Sequence, residues 1–441
     1  VDTITVQGDV YTGEVGTTGS IFSLTAPFQQ TVNSEDPIFG ANLLARWTHL
    51  FEDGSDMALQ AYFDEAQADE LGVSVAEHTF DVDFQHHFQL GDRHDVIWGA
   101  AGRVIAADFD GTFTVSFDDS QRTDYLASAF VQDEIALAPD ELRLIVGSKF
   151  EYNSFTGFEV QPTARMIWTP DDRQALWGAV SRATRTPSQS AESIGINSVL
   201  GPADPLNPFP NRFLLSVLGN DAQKSEDMIA FELGYRAQIT DDLSFDVASF
   251  YNIYDNLLSV EPTSLTPSGA PLPIFNPFCF IIAIPGCLIT GESEFGNLGS
   301  ARSYGVELAT DWQATTWWRL QGAYTYLHLD LDHDSSTPGF TVQATGRDPL
   351  HQASLRSSFG IAEDWELDFW GRYVSELPER GVDDYFTFDL RLAWLPMDGL
   401  ELAVVGQNLL TSDHLEFTPE LIDTTPTEVQ RSVYGKVTAR F

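Results

Sequence analysis

Taken two residues at a time, the chain sorts repeatedly into an apolar and a polar face. Between 385 and 395, Phe386, Phe388, Leu390, Leu392 and Trp394 alternate with Thr387, Asp389 and Arg391. Between 365 and 373, Trp365, Leu367, Phe369 and Tyr373 stand against Glu366, Asp368 and Arg372. The same repeat sets Leu142, Leu144, Val146, Phe150 and Tyr152 against Arg143, Lys149 and Glu151. It sets Leu243, Phe245, Val247, Tyr251 and Ile253 against Ser244, Asp246 and Asn252. It also closes the chain, where Val433, Gly435, Val437, Ala439 and Phe441 alternate with Ser432, Tyr434, Lys436, Thr438 and Arg440. Successive side chains of a strand point to opposite faces, so each stretch reads as a strand with one apolar face; no stretch of convincing length keeps a helical period. A soluble sandwich would bury that face in a core, and an outer-membrane barrel would present it to lipid.

The connections separate the two. Short turns rich in Asp, Pro and Gly fall at 51–56, 89–94, 137–142, 169–174, 239–243, 361–365 and 395–400. Between them lie long irregular connections at 17–39, 189–224, 263–295, 333–349 and 418–428. Tight turns alternating with long loops are the mark of an antiparallel meander with one rim in the periplasm and the other in the medium. Counting between turns gives about 18 strands of roughly 10–18 residues, longer than those of soluble sheets. Trp168, Trp177, Trp312, Trp317, Trp318, Trp365 and Trp394 sit at or near short turns, as an interfacial girdle requires. The expected fold is all-β, a transmembrane antiparallel up-and-down β-barrel with short periplasmic turns and long extracellular loops. With Phe441 at the periplasmic rim, the last strand runs inward and the first, at 3–13, runs outward.

Composition narrows the function. The 441 residues carry 65 acidic and 23 basic side chains, a net charge of −42, which excludes nucleic acid as a partner. The acids fall largely in solvated turns and loops; an acidic surface bridged by divalent cations is the sharper alternative. No run of about 18 apolar residues offers a transmembrane helix. The two cysteines, Cys279 and Cys287, lie eight apart in a Pro-rich loop, which suits a small disulfide in an oxidising compartment or, failing that, two buried thiols.

Nothing in the chain points to catalysis or to a bound cofactor: there is no Gly-rich phosphate loop, nucleophile elbow or paired-cysteine metal motif. Four other groups are candidate sites. His328, Asp330, Asp332 and Asp334 share one face of a strand, so that hard oxygens and an imidazole could meet a divalent cation near the outer rim, or simply mark a strand emerging into an acidic loop. If Trp177 and Ala179 face lipid, alternation turns Arg182 into the lumen, toward lumenal acids or an anionic ligand. Arg185, of opposite parity, then belongs at the outer rim; a salt bridge to a neighbouring strand is the plainer role for both. Phe209, Phe213, Phe275, Phe278 and Phe280 in the long loops would contact a hydrophobic ligand or partner, or pack on each other to order the loops.

Particular stretches resemble TonB-dependent outer-membrane receptors. WGAVSRATRTPS (177–188) is similar to the family's mid-barrel segment leading into a long outer loop, preceded by FVQDEIAL (130–137) and SKFEYNSFTGFEVQPTARMIWTP (148–170). KSEDMIAFELGYR (224–236) resembles the strand after that loop, and GQNLLTSDHLEF (406–417) with RSVYGKVTARF (431–441) the last two strands. The resemblance implies a barrel of about 22 strands filled by an N-terminal plug. Residues 1–441 would be its barrel domain, about 18 strands of it, without the plug and first strands. It further implies the outer membrane of a Gram-negative bacterium, with contacts to lipid and lipopolysaccharide. Uptake of a scarce small-molecule nutrient, such as a ferric siderophore, would be energised by the TonB complex through the plug. The barrel assembly machinery would read the terminal Phe441. The rival expectation is a free-standing plugless pore for passive diffusion.

Overall fold

The computed structural model describes residues 1–201, 210–269, 274–275, 281, 283, 287–333, 340–341, 346–418 and 426–440. Alternation becomes architecture directly: eighteen long strands follow one another along the chain. They are β1 (Asp2–Phe22), β2 (Gln29–Leu50), β3 (Asp56–Glu70), β4 (Val73–Leu90), β5 (His94–Asp110), β6 (Gln121–Ala138), β7 (Leu142–Asn153), β8 (Gly157–Asp171) and β9 (Gln174–Arg185). The second half comprises β10 (Glu226–Thr240), β11 (Leu243–Gly269), β12 (Cys287–Thr315), β13 (Trp318–His333), β14 (His351–Ala362), β15 (Trp365–Val374), β16 (Tyr385–Met397), β17 (Leu400–Gln407) and β18 (Ser432–Ala439). Each pairs antiparallel with the next, which makes one up-and-down barrel wall. Among the described residues β1 and β18 do not pair with each other, so the wall has two free edges.

The turns divide largely as expected. One rim carries only tight connections: 51–55, 91–93, 139–141, 172–173, 241–242, 316–317, 363–364 and 398–399. Gly54 and Gly399 hold φ of 87° and 81° there, a left-handed conformation that costs glycine little and other residues more. The chain starts and β18 ends at this same rim, Asp2 lying opposite His49 and Ala439 opposite Leu400. The other rim carries the long connections, and against expectation also two tight turns, at 71–72 and 154–156. Two of the long connections are shorter than expected: β1 and β2 stay paired to Phe22 and Gln29, leaving only 23–28 of the expected 17–39, and β11 and β12 reach 27 and 29 residues. Past the outward apolar band no apolar face is needed, so hydropathy alternation fades while the backbone ladder continues.

Cross-strand partners share a face, and register therefore assigns every side chain. Leu402, Val404, Val437 and Phe388 lie outward with Leu390, Leu392 and Trp394, while Asp389, Arg391, Glu401 and Lys436 face the lumen. Nine of the ten tryptophans lie within a few residues of the tight-turn rim, while Trp370 stands midway along β15 on the lumenal face opposite Asp389. Most point outward, but Trp177 shares the lumenal face with Arg165, whose guanidinium stacks 5.1 Å from its ring.

The tightest apolar packing lies above the wall. Val115, Ile196, Val199, Leu257, Val260, Ile289 and Phe295 are buried in a loop sheet, where short strands join the distal ends of β11 and β12 at the loop rim. There Val115–Phe117 pairs with Ile194–Leu200, that strand with Arg212–Leu218, and Arg212–Leu218 runs parallel to the distal half of β12.

Candidate functional site

The lumenal face of β10–β17 is a ladder of ion pairs set by register. Arg236 meets Asp246 at 2.5 Å, Arg319 meets Asp311 at 2.9 Å, and Arg372 meets Asp389 at 2.6 Å with Thr387 at 3.1 Å. Asp368 is the hub: it accepts from Ser358 Oγ at 2.5 Å, Arg356 at 3.1 Å and Arg391 at 2.6 Å. Arg391 reaches on to Glu366 at 3.0 Å and Glu401 at 2.7 Å, so one guanidinium ties β15, β16 and β17. Two recesses of about 540 and 460 Å³ open along this ladder, lined by Arg236, Arg356, Trp370, Arg319 and Arg391 among others. The wall thus offers a charged guest both signs of fixed charge within a few ångströms.

A second polar cluster lies where the lumen meets the loop rim. Arg122 and Asp124 at the start of β6 pair at 2.9 Å, and Arg122 reaches Glu192 at 2.5 Å while lying 4.8 Å over the Phe155 ring. Glu192 belongs to the short helix Gln189–Ser193, whose first turn is capped by Ser188, its Oγ accepting from the Ala191 N–H at 3.1 Å. Gln189 donates to Asp124, and Ser154 Oγ donates to the same carboxylate at 2.8 Å. Burial pushes the Glu192 carboxyl above its ordinary range, against the pull of Arg122. Ser225 extends the cluster, donating to Glu159 at 2.7 Å. This cluster pins the first loop segment after β9 to the wall. Its sequence signal is the capped run 188–193; the partners Arg122 and Asp124, some 65 residues earlier, carry none.

The expected site residues scatter. Arg182 does not face the lumen. It shares a face with Val180, Ile229 and Phe231, and its charge is met by Asp227 and the Val160 carbonyl. The expectation began from Trp177 facing lipid, and Trp177 points inward. Arg185 is the last residue of β9, at the loop rim, paired with Glu226 at 3.2 Å. His328, Asp330 and Asp332 lie on the outward face, opposite Tyr304, Arg302 and Ser300, and do not converge. Same-face residues on a strand are about 7 Å apart, and among the described residues no three His, Cys, Asp or Glu side chains are arranged to hold a metal. Phe213 lies in Arg212–Leu218 with its ring against Gly291, where an added Cβ would come within 2.8 Å, so it packs within the loop sheet. Phe275 is described by backbone alone, paired with Ser268. Phe209, Phe278, Phe280, Asp334, Cys279 and Phe441 lie outside the described residues, and with Cys279 the expected pairing to Cys287.

Comparisons with known proteins follow this geometry. The sequence matches the family model described as TonB dependent receptor-like, beta-barrel, over residues 3–409. Comparison with curated protein sequences finds no match. Among solved structures, the siderophore receptor PirA from Acinetobacter baumannii aligns with a TM-score of 0.68 at 14% identity, covering 92% of this chain and 63% of that one. A single-site mutant of the ferric enterobactin receptor PfeA from Pseudomonas aeruginosa aligns with a TM-score of 0.71 at 14% identity, covering 100% of this chain and 67% of that one. The copper transporter OprC gives 0.65 at 14% identity, over 94% and 68%. At such identities the likeness is one of fold, and the chain spans about 63% of the length of PirA from Acinetobacter.

Proposed function

Because the chain belongs to the TonB-dependent receptor-like β-barrel family, we propose that it is the barrel of an outer-membrane receptor for energised uptake of a scarce nutrient, with a ferric siderophore as the first candidate. The family match over 3–409 carries this reading. The outward apolar face and the tight-turn rim with its tryptophans support an outer-membrane setting. Siderophore receptors among the structural neighbours support the ligand class, and a copper transporter among them keeps other metal complexes in view.

In this reading residues 1–441 act as one barrel domain. Its free edges at β1 and β18 are joined by the receptor's remaining strands, an even number, since β1 leaves and β18 returns to the same rim. The loop sheet receives the ligand and the lumenal ladder faces a plug, through which the TonB complex delivers energy. Lipopolysaccharide surrounds the outer rim, and the barrel assembly machinery inserts the chain.

The test is accumulation of radiolabelled iron as a panel of ferric siderophores in cells expressing the gene, with and without a proton-motive-force uncoupler. Saturable uptake of one complex that stops on uncoupling is expected. Uptake that survives uncoupling and falls only with solute size would favour the passive pore instead.

A further inference from the structure

Four of the nine histidines crowd the tight-turn ends of the early strands: His49 on β2, His86 and His87 on β4, and His94 on β5. Three of them bind carboxylates on other strands. His49 Nδ1 lies 2.7 Å from Asp2 of β1, an oxygen that also accepts from Trp47 Nε1 at 2.9 Å. His94 Nδ1 lies 2.7 Å from Asp133 of β6. His87 is held on both sides: Nδ1 lies 2.9 Å from Asp56, the first residue of β3, and Nε2 contacts Asp95 of β5.

The double contact fixes the charge. A neutral imidazole has one N–H and one bare nitrogen, and a bare nitrogen facing a carboxylate oxygen repels it. Both ring nitrogens of His87 face carboxylates, so both carry protons and the ring is a cation. Other titratable groups at this end include Glu52 and Asp53 in the 51–55 turn, Asp92 and Arg93 in the next, His86, and Glu134, which stands opposite Asp95 on the same face and is paired with Arg143 at 2.9 Å. His86 faces the opposite side, against Phe51, Phe88 and Trp98. None of these replaces the proton that His87 shares with its two acids.

We propose that the two His87–Asp contacts form a proton-dependent clasp at the tight-turn rim, linking β3, β4 and β5. The protonated ring is the bound form, so assembly of the rim takes up a proton. The clasp is complete below the ordinary imidazole range near pH 6.5 and is lost as the pH rises above it. Without the proton, Asp56 and Asp95 face each other across a neutral ring, and the ends of three strands loosen together. The contacts at His49 and His94 each have one carboxylate, which the single N–H of a neutral ring can serve, so they stand outside the clasp.

The test is amide hydrogen–deuterium exchange of the full chain in detergent between pH 5.5 and 8.5, corrected for intrinsic exchange, reading the ends of β3, β4 and β5. In the wild type, protection should fall severalfold across the histidine titration. His87→Gln should show low, flat protection, and Asp95→Asn should move the fall to lower pH by removing one of the two carboxylates. His328→Gln, at the far rim, should leave the profile unchanged. A flat wild-type profile, an undiminished fall in His87→Gln, or an unshifted midpoint in Asp95→Asn would each overturn the clasp.

Discussion

Replacing Asp368 with asparagine keeps the shape of the lumenal hub and removes its charge. Three donors converge on that carboxylate, but they are not equivalent. Asp368 is 11% exposed and Arg391 24%, whereas Arg356 is 46% exposed. A hydrogen bond to a charged group is worth about 1.5–3 kcal/mol when sheltered, while a solvent-facing ion pair is worth about 0–1 kcal/mol. Arg391 keeps Glu366 and Glu401 in the variant, and the introduced amide oxygen still accepts from Ser358. The expected loss is therefore about 2 kcal/mol, nearly all from the Arg391 contact. Urea unfolding of the chain in lipid vesicles, followed by tryptophan fluorescence, measures it. A double-mutant cycle divides it: the coupling of Asp368→Asn with Arg391→Gln should be about 1–2 kcal/mol, and with Arg356→Gln below about 0.5 kcal/mol. A loss under about 0.5 kcal/mol, or a stronger coupling to Arg356 than to Arg391, would refute burial as the quantity that ranks these pairs.

Three further outcomes are expected. Arg182→Leu should destabilise the wall by about 2 kcal/mol in the same unfolding assay, because it strands Asp227 on the apolar face, and adding Asp227→Asn should restore more than half of the loss. Asp53, in the tight turn 51–55, is held below the usual carboxylate range by the Ser55 hydroxyl and then by the Ser55 N–H. A depressed carboxylate contributes above its unfolded value and is lost as the pH falls through its folded one, so carbon NMR should show Asp53 titrating below 3.8 and Ser55→Ala moving it upward. With nine of the ten tryptophans near one rim, nitroxide probes at the lipid headgroup should quench their fluorescence more than probes at the chain terminus; equal quenching would contradict the girdle.

How much is legible follows from which interactions are local. The period of two and the Asp, Gly and Pro turns reveal the strands and their direction, because both are written in neighbouring residues. The turn at 316–317 escapes that reading since it is Thr316–Trp317, with none of those turn residues. Arg182 is misassigned through one wrong premise: tryptophan is apolar enough to suggest lipid, yet Trp177 stacks on Arg165 in the lumen. The loop sheet is invisible because its pairings join distant segments, 115–117 with 194–196 and 212–218 with 288–294, and no local pattern encodes such a partner. The Asp368 hub and the His87 clasp are hidden for the same reason. Each side chain is readable as polar-face, but which acid it meets depends on register.

Trp312 and Arg302 stand on the same outward face of β12, ten residues apart, the first at the tight-turn girdle and the second opposite Asp330 at the charged end. Ten residues of strand rise about 34 Å, and at a tilt of about 45° they stand about 24 Å tall. An average bilayer has a hydrocarbon thickness of about 30 Å, and the bacterial outer membrane is thinner than average. In a bilayer of average thickness the wall would be short by about 6 Å, and at fractions of a kcal/mol per ångström the mismatch amounts to a few kcal/mol. Thickness alone therefore biases this chain toward the thinner of two membranes, a sorting preference written into the spacing of one tryptophan and one arginine.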